Sequence, residues 1–197
     1  MVAATVSIGR WNRWIRAAVP FLVGQDILEI GYGPGHLQAH LLASAKLRVS
    51  GLDESRQMAV LAKRRLERRG LGPIQLARGR AQALPFSSES FDTVVSTFPS
   101  QYIFEPQTLH EVYRILRVGG SFVVVPAASI IGKRLADRSA AWLLRVTHQS
   151  PRSLREILTE RLERGLWAAG FEPQFLTVEI LSSVVFIVNS RKAAAQP

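Results

Sequence analysis

The sequence of 197 residues, with 47% hydrophobic and 20% charged residues, has the composition of one globular domain. It contains no cysteine, which excludes disulfides, thiolate metal sites and thiol nucleophiles. No apolar run reaches the ~18 residues of a membrane-spanning helix, and the N-terminal segment lacks a secretory signal pattern, so we expect a cytoplasmic protein. The net charge of +10 favours an anionic partner (nucleic acid, a membrane surface or an acidic small molecule) unless the arginine excess reflects only genome composition or a hot habitat.

Residues 1–25 contain a predicted amphipathic helix. Trp11, Trp14, Ile15 and Ala18 fall on one face at helical spacing, with arginines beside them. Such a face fits peripheral contact with an anionic membrane, and it also fits a helix that packs over a sheet or a cofactor. The first interpretation predicts peripheral membrane contact through Trp11 and Trp14, and the second predicts that both are packed.

Short apolar strands then alternate with helices. The predicted strands are residues 26–30, 47–53, 74–77, 91–97 and 121–125. The predicted helices are residues 34–45, 55–70 and 106–120, with Ser55 as an N-cap, Pro106 in a first turn and Gly119 and Gly120 as a stop. In the second helix the apolar stripe consists of Met58, Leu61, Ala62 and Leu66. This alternation predicts an α/β fold with a mostly parallel sheet.

The last third departs from this alternation. A segment rich in alanine, arginine and serine covers residues 127–150, with helix predicted around residues 132–146, and a second helix is predicted over residues 154–169. Two apolar runs then follow, residues 175–180 and 184–188, with three residues between them. So short a connection predicts an antiparallel hairpin.

Three glycines, Gly31, Gly33 and Gly35, connect the first strand to the next helix. In this position bare backbone and a helix N-terminus face a polar ligand. A dinucleotide loop needs a small residue at its sixth position, where this sequence has His36, so a nicotinamide oxidoreductase is a remote alternative. A nucleoside triphosphate loop is excluded, because no Gly-Lys-Ser/Thr follows.

Residues 29–35 (EIGYGPG) resemble the first motif, acid-x-G-x-G-x-G, of class I S-adenosylmethionine-dependent methyltransferases of the small-molecule or quinone type. Asp53 is similar to the family's ribose-binding acid, and Met58 to the residue that flanks the adenine. Residues 79–86 (GRAQALPF) resemble the adenine loop, but Arg80 replaces the usual aspartate. Either Gln82 or backbone groups then read the adenine, or the affinity is weaker. The resemblance runs from about residue 26 to residue 189.

The resemblance implies a Rossmann-like, seven-stranded, mostly parallel sheet with a C-terminal antiparallel hairpin and helices on both faces, in a single domain over residues 1–197. It implies S-adenosyl-L-methionine as the cofactor, and we expect no metal. Acids at strand ends suit the amine and ribose of this cofactor, and bare backbone suits its carboxylate. The predicted cofactor-binding residues are Glu29, Gly31, Tyr32, Gly33, Gly35, Asp53, Met58, Ala81, Gln82 and Thr97.

The expected acceptor is a small or hydrophobic molecule of the lipid or quinone kind. Nucleic acid is the weaker choice, because the basic stretch at residues 63–69 has no interleaved aromatic residues. Residues 127–150 are expected to form a lid over the acceptor site outside the sheet, or alternatively a helix buried on the sheet. Methyl transfer from an activated donor needs mainly orientation, so no catalytic base is assigned, and His148 is the one histidine placed to approach an acceptor. A non-catalytic paralogue that only binds the cofactor, and a nucleic-acid methyltransferase, are the alternatives.

Overall fold

The computed structural model describes residues 10–130 and 162–193. Its strands are β1 Asp26–Ile30, β2 Arg48–Asp53, β3 Gln75–Arg78, β4 Phe91–Thr97, β5 Leu116–Ile130, β6 Phe171–Ile180 and β7 Ser183–Lys192. Its helices are α1 (10–16), α2 His36–Leu41, α3 Arg56–Glu67, α4 Pro106–Ile115 and α5 (162–168), with 3₁₀ turns at Val19–Phe21 and Gln101–Phe104.

The described strands form one seven-stranded sheet in the order β3-β2-β1-β4-β5-β7-β6. The five strands from β3 to β5 are parallel, and β7 is antiparallel to both β5 and β6. The fold class predicted from the sequence is confirmed. The strand order reverses between β1 and β4, and in an open α/β sheet ligands bind at the carboxyl ends of the strands on either side of such a reversal.

Apolar side chains alternate between the two faces of the sheet. On one face Ile27 and Val95 pack with α1, α2 and α3, and on the other face Leu28 and Val94 pack with α4 and α5. Residues 122–125 (FVVV) of β5 are wholly buried, since helices cover both faces there. Burial on both sides therefore explains the continuous apolar run that identified this strand.

The helices begin close to their predicted first residues, but they end several residues before their predicted last residues. The hydroxyl of Ser55 accepts from the backbone N–H of Met58 at 3.3 Å, as expected of the N-cap of α3. The predicted stripe on α3 is wrong at Leu61, which is 47% exposed because Ala62 and Leu66 are the residues that face the sheet. Helix α4 ends at Ile115 and does not continue to the glycine pair.

The early end of α4 follows from the burial of Leu116. This residue is already extended, pairs with Phe91 of β4 and is fully buried in the core. Continuing the helix would carry its side chain out of that core. The glycine pair instead lies in an irregular stretch at the start of β5, where Gly119 has a φ of 75°.

The predicted lid begins too early. Residues 127–130 continue β5, with Ala127 opposite Phe186 and Ile130 opposite Ser183. The long strand β7 needs a long partner for its backbone groups, and β5 supplies it despite an irregularity around Pro126, a residue that lacks an N–H. The rest of the predicted lid, its helix at residues 132–146, His148 and the predicted helix start at residue 154 lie outside the described residues.

Candidate functional site

The glycine loop lies at the carboxyl end of β1, next to the reversal in strand order. The N–H of Gly31 donates to the carbonyl of Leu52 at 2.7 Å, which holds the loop to the end of β2. Gly31, Gly33 and Gly35 have φ values of 73°, 52° and 76°, in the left-handed region that glycine adopts readily. A Cβ on Gly33 would meet nothing within 4 Å, so the backbone of the loop is open on that side. A ligand can therefore approach the main chain closely there.

Asp53, the last residue of β2, organises this loop. Its Oδ2 accepts from the N–H of Gly33 at 2.8 Å, and its Oδ1 accepts from the N–H of Ser55 at 2.8 Å. Each carboxylate oxygen still has a second lone pair, and the side chain is half-buried. Asp53 thus joins the glycine loop to the start of α3 and retains acceptor capacity for a hydroxyl-bearing ligand.

Glu29 is the most unusual group of the site. It is only 1% exposed, and its Oε2 has no hydrogen-bond partner among the described residues. Burial and the nearby charge of Asp53 raise its pKa to about 8, against the lowering effect of hydrogen bonds from Gln38. A buried carboxyl with an unpartnered oxygen is costly unless a ligand supplies the donor, and a cationic N–H group is the best complement.

Tyr32, in the middle of the glycine loop, is 3% exposed and packs beside β2. A Cβ on Gly51 would lie 2.7 Å from its Cδ1, so the ring occupies the space that glycine leaves. Burial and the charge of Asp53 raise the pKa of Tyr32 to about 12, and its hydroxyl has no hydrogen-bond partner in the described part of the chain. The structure thus places the Tyr32 ring against β2, near Asp53.

The predicted adenine loop is tied to the segment after β4. Gln82 donates through Nε2 to Oε2 of Glu105 at 2.6 Å, and Ala81 beside it is buried. Arg80 donates to Glu54 at 3.0 Å in a pair whose side chains are 72% and 68% exposed, so this contact adds little stability. Met58 in the first turn of α3 and Thr97 at the end of β4 are half-buried.

Sequence reasoning missed the residue that braces the glycine loop from outside. Arg65 donates through Nε to the carbonyl of Pro34 at 2.7 Å, and its Nη1 lies 3.3 Å from Nδ1 of His36. A guanidinium has only donors, so Nδ1 of His36 accepts and the ring is neutral. Burial, followed by the charges of Arg65 and Arg69, lowers the pKa of His36. His36 therefore has a structural role.

The N-terminal helix faces the sheet. Trp14 is 6% exposed and packs in the core with Ile15 and Ala18, so it does not face outward as membrane contact through this residue requires. Trp11 is 36% exposed and stacks on Phe98 with ring centroids 4.4 Å apart. The packed interpretation of the tryptophan face is the correct one for Trp14.

Over residues 10–130 and 162–193, no helix is long and apolar enough to cross a membrane. The same ranges hold no cluster of three or more histidine or acidic side chains arranged to bind a metal ion.

The chain is similar to known methyltransferases. A family profile described as a methyltransferase domain matches residues 27–120. The uncharacterized methyltransferase YdaC of Bacillus subtilis is 31% identical over 131 residues, which cover 65% of this chain and 67% of that protein. The demethylmenaquinone methyltransferase of Symbiobacterium thermophilum is 33% identical over 132 residues, 62% of this chain and 52% of that protein. The phosphatidylethanolamine N-methyltransferase of Cereibacter sphaeroides is 36% identical over 104 residues, 52% of this chain and 50% of that protein.

Solved structures share the fold. A methyltransferase from Aquifex aeolicus has a TM-score of 0.65 at 14% identity over 97% of this chain and 98% of its own. Another, from Methanosarcina mazei, has a TM-score of 0.63 at 19% identity over 90% of this chain and 97% of its own. Both are S-adenosylmethionine-dependent methyltransferases.

The fold and the glycine-loop site define the class I S-adenosylmethionine-dependent methyltransferases. The chain belongs to this methyltransferase family. It spans about half the length of the demethylmenaquinone and phosphatidylethanolamine relatives that it matches.

Proposed function

We propose that this protein transfers the methyl group of S-adenosylmethionine to a hydrophobic acceptor of the quinone or lipid type. The observation that supports S-adenosylmethionine as the methyl donor is the buried carboxyl oxygen of Glu29, which has no partner among the described residues and precedes an open glycine loop. The acceptor half is supported by relatives named for demethylmenaquinone and for phosphatidylethanolamine. When bound, S-adenosylmethionine supplies a methyl group that its sulfonium has already activated.

In the proposed donor pocket, different residues would bind different parts of S-adenosylmethionine. Glu29 would accept from the α-ammonium, and the open backbone at Gly33 would approach the carboxylate. Asp53 would accept from the ribose with its remaining lone pairs. The other members of the proposed pocket are Gly31, Tyr32, Gly35, Met58, Ala81, Gln82 and Thr97.

These residues orient the donor and exclude water. In-line transfer from an activated donor gains most from a fixed geometry and a dry site, so the proposal requires no general base. Two of the described histidines already have hydrogen-bonding partners: His36 contacts Arg65, and His110 contacts the carbonyl of Pro106.

The aromatic residue that follows β4 supports an apolar acceptor. Phe98 directly follows Thr97 and has a φ of 50°, which is rare for a bulky side chain and persists only where its surroundings hold it. Its N–H donates to the carbonyl of Val125 at 2.7 Å, and its ring stacks on Trp11. The result is an aromatic surface beyond the carboxyl end of β4, where the proposed acceptor would meet the donor. A quinone ring or a lipid chain suits such a surface better than a polar acceptor.

The direct test is transfer of a radiolabelled methyl group. Purified protein is incubated with methyl-labelled S-adenosylmethionine and, separately, with a demethylated naphthoquinol, phosphatidylethanolamine vesicles and total RNA. We expect label in the organic extract of one apolar acceptor, and none with Glu29→Ala. Label in RNA alone would establish a nucleic-acid methyltransferase. Donor binding without transfer to any acceptor would support the non-catalytic paralogue instead.

A further inference from the structure

Tyr102 lies next to the glycine loop, although it is not among the predicted cofactor-binding residues. It lies in the 3₁₀ turn Gln101–Phe104 between β4 and α4, and its hydroxyl is next to the glycine loop, because a Cβ on Gly31 would be 2.5 Å from that oxygen. The turn is anchored by Ile103, which is fully buried, and by the N–H of Glu105, which donates to the Tyr102 carbonyl at 3.2 Å. The position of the hydroxyl is therefore fixed by the fold.

The direction of its hydrogen bond follows from counting protons. The hydroxyl of Ser96 donates to the carbonyl of Ile30 at 2.9 Å, and a hydroxyl has only one hydrogen. In the 3.3 Å contact between Ser96 and Tyr102 the phenol is therefore the donor. Among residues 10–130 and 162–193, Ser96 is the only side chain that hydrogen-bonds to this hydroxyl. The lone pairs of the Tyr102 oxygen have no donor from that part of the chain.

The surroundings of this oxygen are acidic. Burial raises the pKa of Tyr102, and the charges of Asp53 and Glu29 raise it further, while the hydrogen bond with Ser96 lowers it. Glu29 also has an oxygen without a donor. The Tyr102 oxygen beside Gly31 is therefore an acceptor without a donor among the described residues, and such an atom complements a compact cation with several N–H groups.

We propose that the Tyr102 hydroxyl oxygen accepts a hydrogen bond from the α-ammonium of the donor and so adds to the contact proposed for Glu29. This inference rests on the proposed function. Tyr102 binds and orients here and does not remove a proton, because its own hydrogen is directed to Ser96 and that chain ends on the carbonyl of Ile30. A carbonyl accepts a hydrogen bond but cannot pass a proton on.

The test compares two ligands that differ in the amino-acid tail. S-adenosylhomocysteine carries the ammonium, and 5′-methylthioadenosine has the same nucleoside thioether without it. Calorimetry on Tyr102→Phe should show affinity for S-adenosylhomocysteine lowered roughly ten- to hundredfold, as for loss of a hydrogen bond to a charged group, and unchanged affinity for 5′-methylthioadenosine. Tyr113→Phe, on α4 away from the loop, is the matched control and should change neither affinity.

Each other outcome is decisive. If the wild type binds neither ligand, the proposed function fails. If it binds both and Tyr102→Phe weakens them equally, Tyr102 only shapes the pocket and the inference is wrong. The inference is also wrong if Tyr102→Phe changes the affinity for neither ligand. This holds even if the variant raises the KM of the acceptor. A thermal melt confirms folding, and Tyr102→Leu, which also lacks the hydroxyl, gives the same ligand comparison if Tyr102→Phe does not fold.

Discussion

The wild type should lose stability as the pH rises, and replacing Glu29 with glutamine should remove this loss. In the folded protein, burial raises the pKa of Glu29 to about 8, whereas its ordinary value is 4.5. Between these values the folded state holds a proton that the unfolded chain has released. Stability from this group is therefore complete below pH 4.5 and is lost progressively as the pH rises to about 8.

The size of the effect follows from the two pKa values. The interval from 4.5 to about 8 corresponds to about 5 kcal/mol, since each pH unit is worth about 1.4 kcal/mol. Glu29 is 1% exposed, so solvent screening does not reduce this value substantially. Glu29→Gln keeps the shape and neutrality of the protonated acid and removes the ionisation.

The assay is urea unfolding of the wild type and Glu29→Gln from pH 5 to pH 8. We expect the two free energies of unfolding to differ by no more than about 1 kcal/mol at pH 5, and the variant to be more stable by several kcal/mol at pH 8. Glu172→Gln on β6, an exposed site, is the control and should show no such trend. A constant difference between wild type and Glu29→Gln over this range would refute the burial argument.

Three further changes probe the site and its support. Asp53→Ala should lower the affinity for S-adenosylhomocysteine at least tenfold, and it should lower the melting temperature because the amides of Gly33 and Ser55 lose their acceptor. Unchanged affinity in calorimetry would contradict the ribose role. Gln82→Ala should reduce the preference for S-adenosylhomocysteine over its inosine analogue about fivefold. The reason is that Glu105 fixes the Gln82 amide so that its oxygen can accept from the adenine amine. An unaltered preference in competition binding would exclude this role. Trp14→Ala should lower the free energy of unfolding by about 3–5 kcal/mol and Trp11→Ala by much less, because only Trp14 is buried; equal costs in urea unfolding would count against this packing.

Local patterns predicted most of the fold. The bounds of β1 and β4 are those of the predicted strands, since these central strands are buried on both faces and end at glycine or turn residues. The end of α4 was not predictable in this way, because the burial of Leu116 depends on its distant partner Phe91 and outweighs a local glycine signal. The tryptophan face of α1 was ambiguous because the same amphipathic pattern serves a membrane surface and a sheet.

The site shows the same division between local and long-range information. The glycine loop and the two acids can be predicted from the sequence, because their spacing at strand ends is a local pattern. Arg65 lies 31 residues from Pro34, and Gln82 lies 23 residues from Glu105, so no local pattern connects either pair. The role of Tyr102 depends on the direction of the Ser96 hydroxyl, which only the three-dimensional arrangement defines.

A crystal structure of the complex with S-adenosylhomocysteine tests the proposed donor site most directly. The account predicts the α-ammonium within hydrogen-bond distance of Oε2 of Glu29 and of the Tyr102 hydroxyl, with the ribose on Asp53 and the adenine beside Ala81 and Gln82. A ligand bound elsewhere, or an ammonium that leaves Oε2 of Glu29 without a partner, would contradict it.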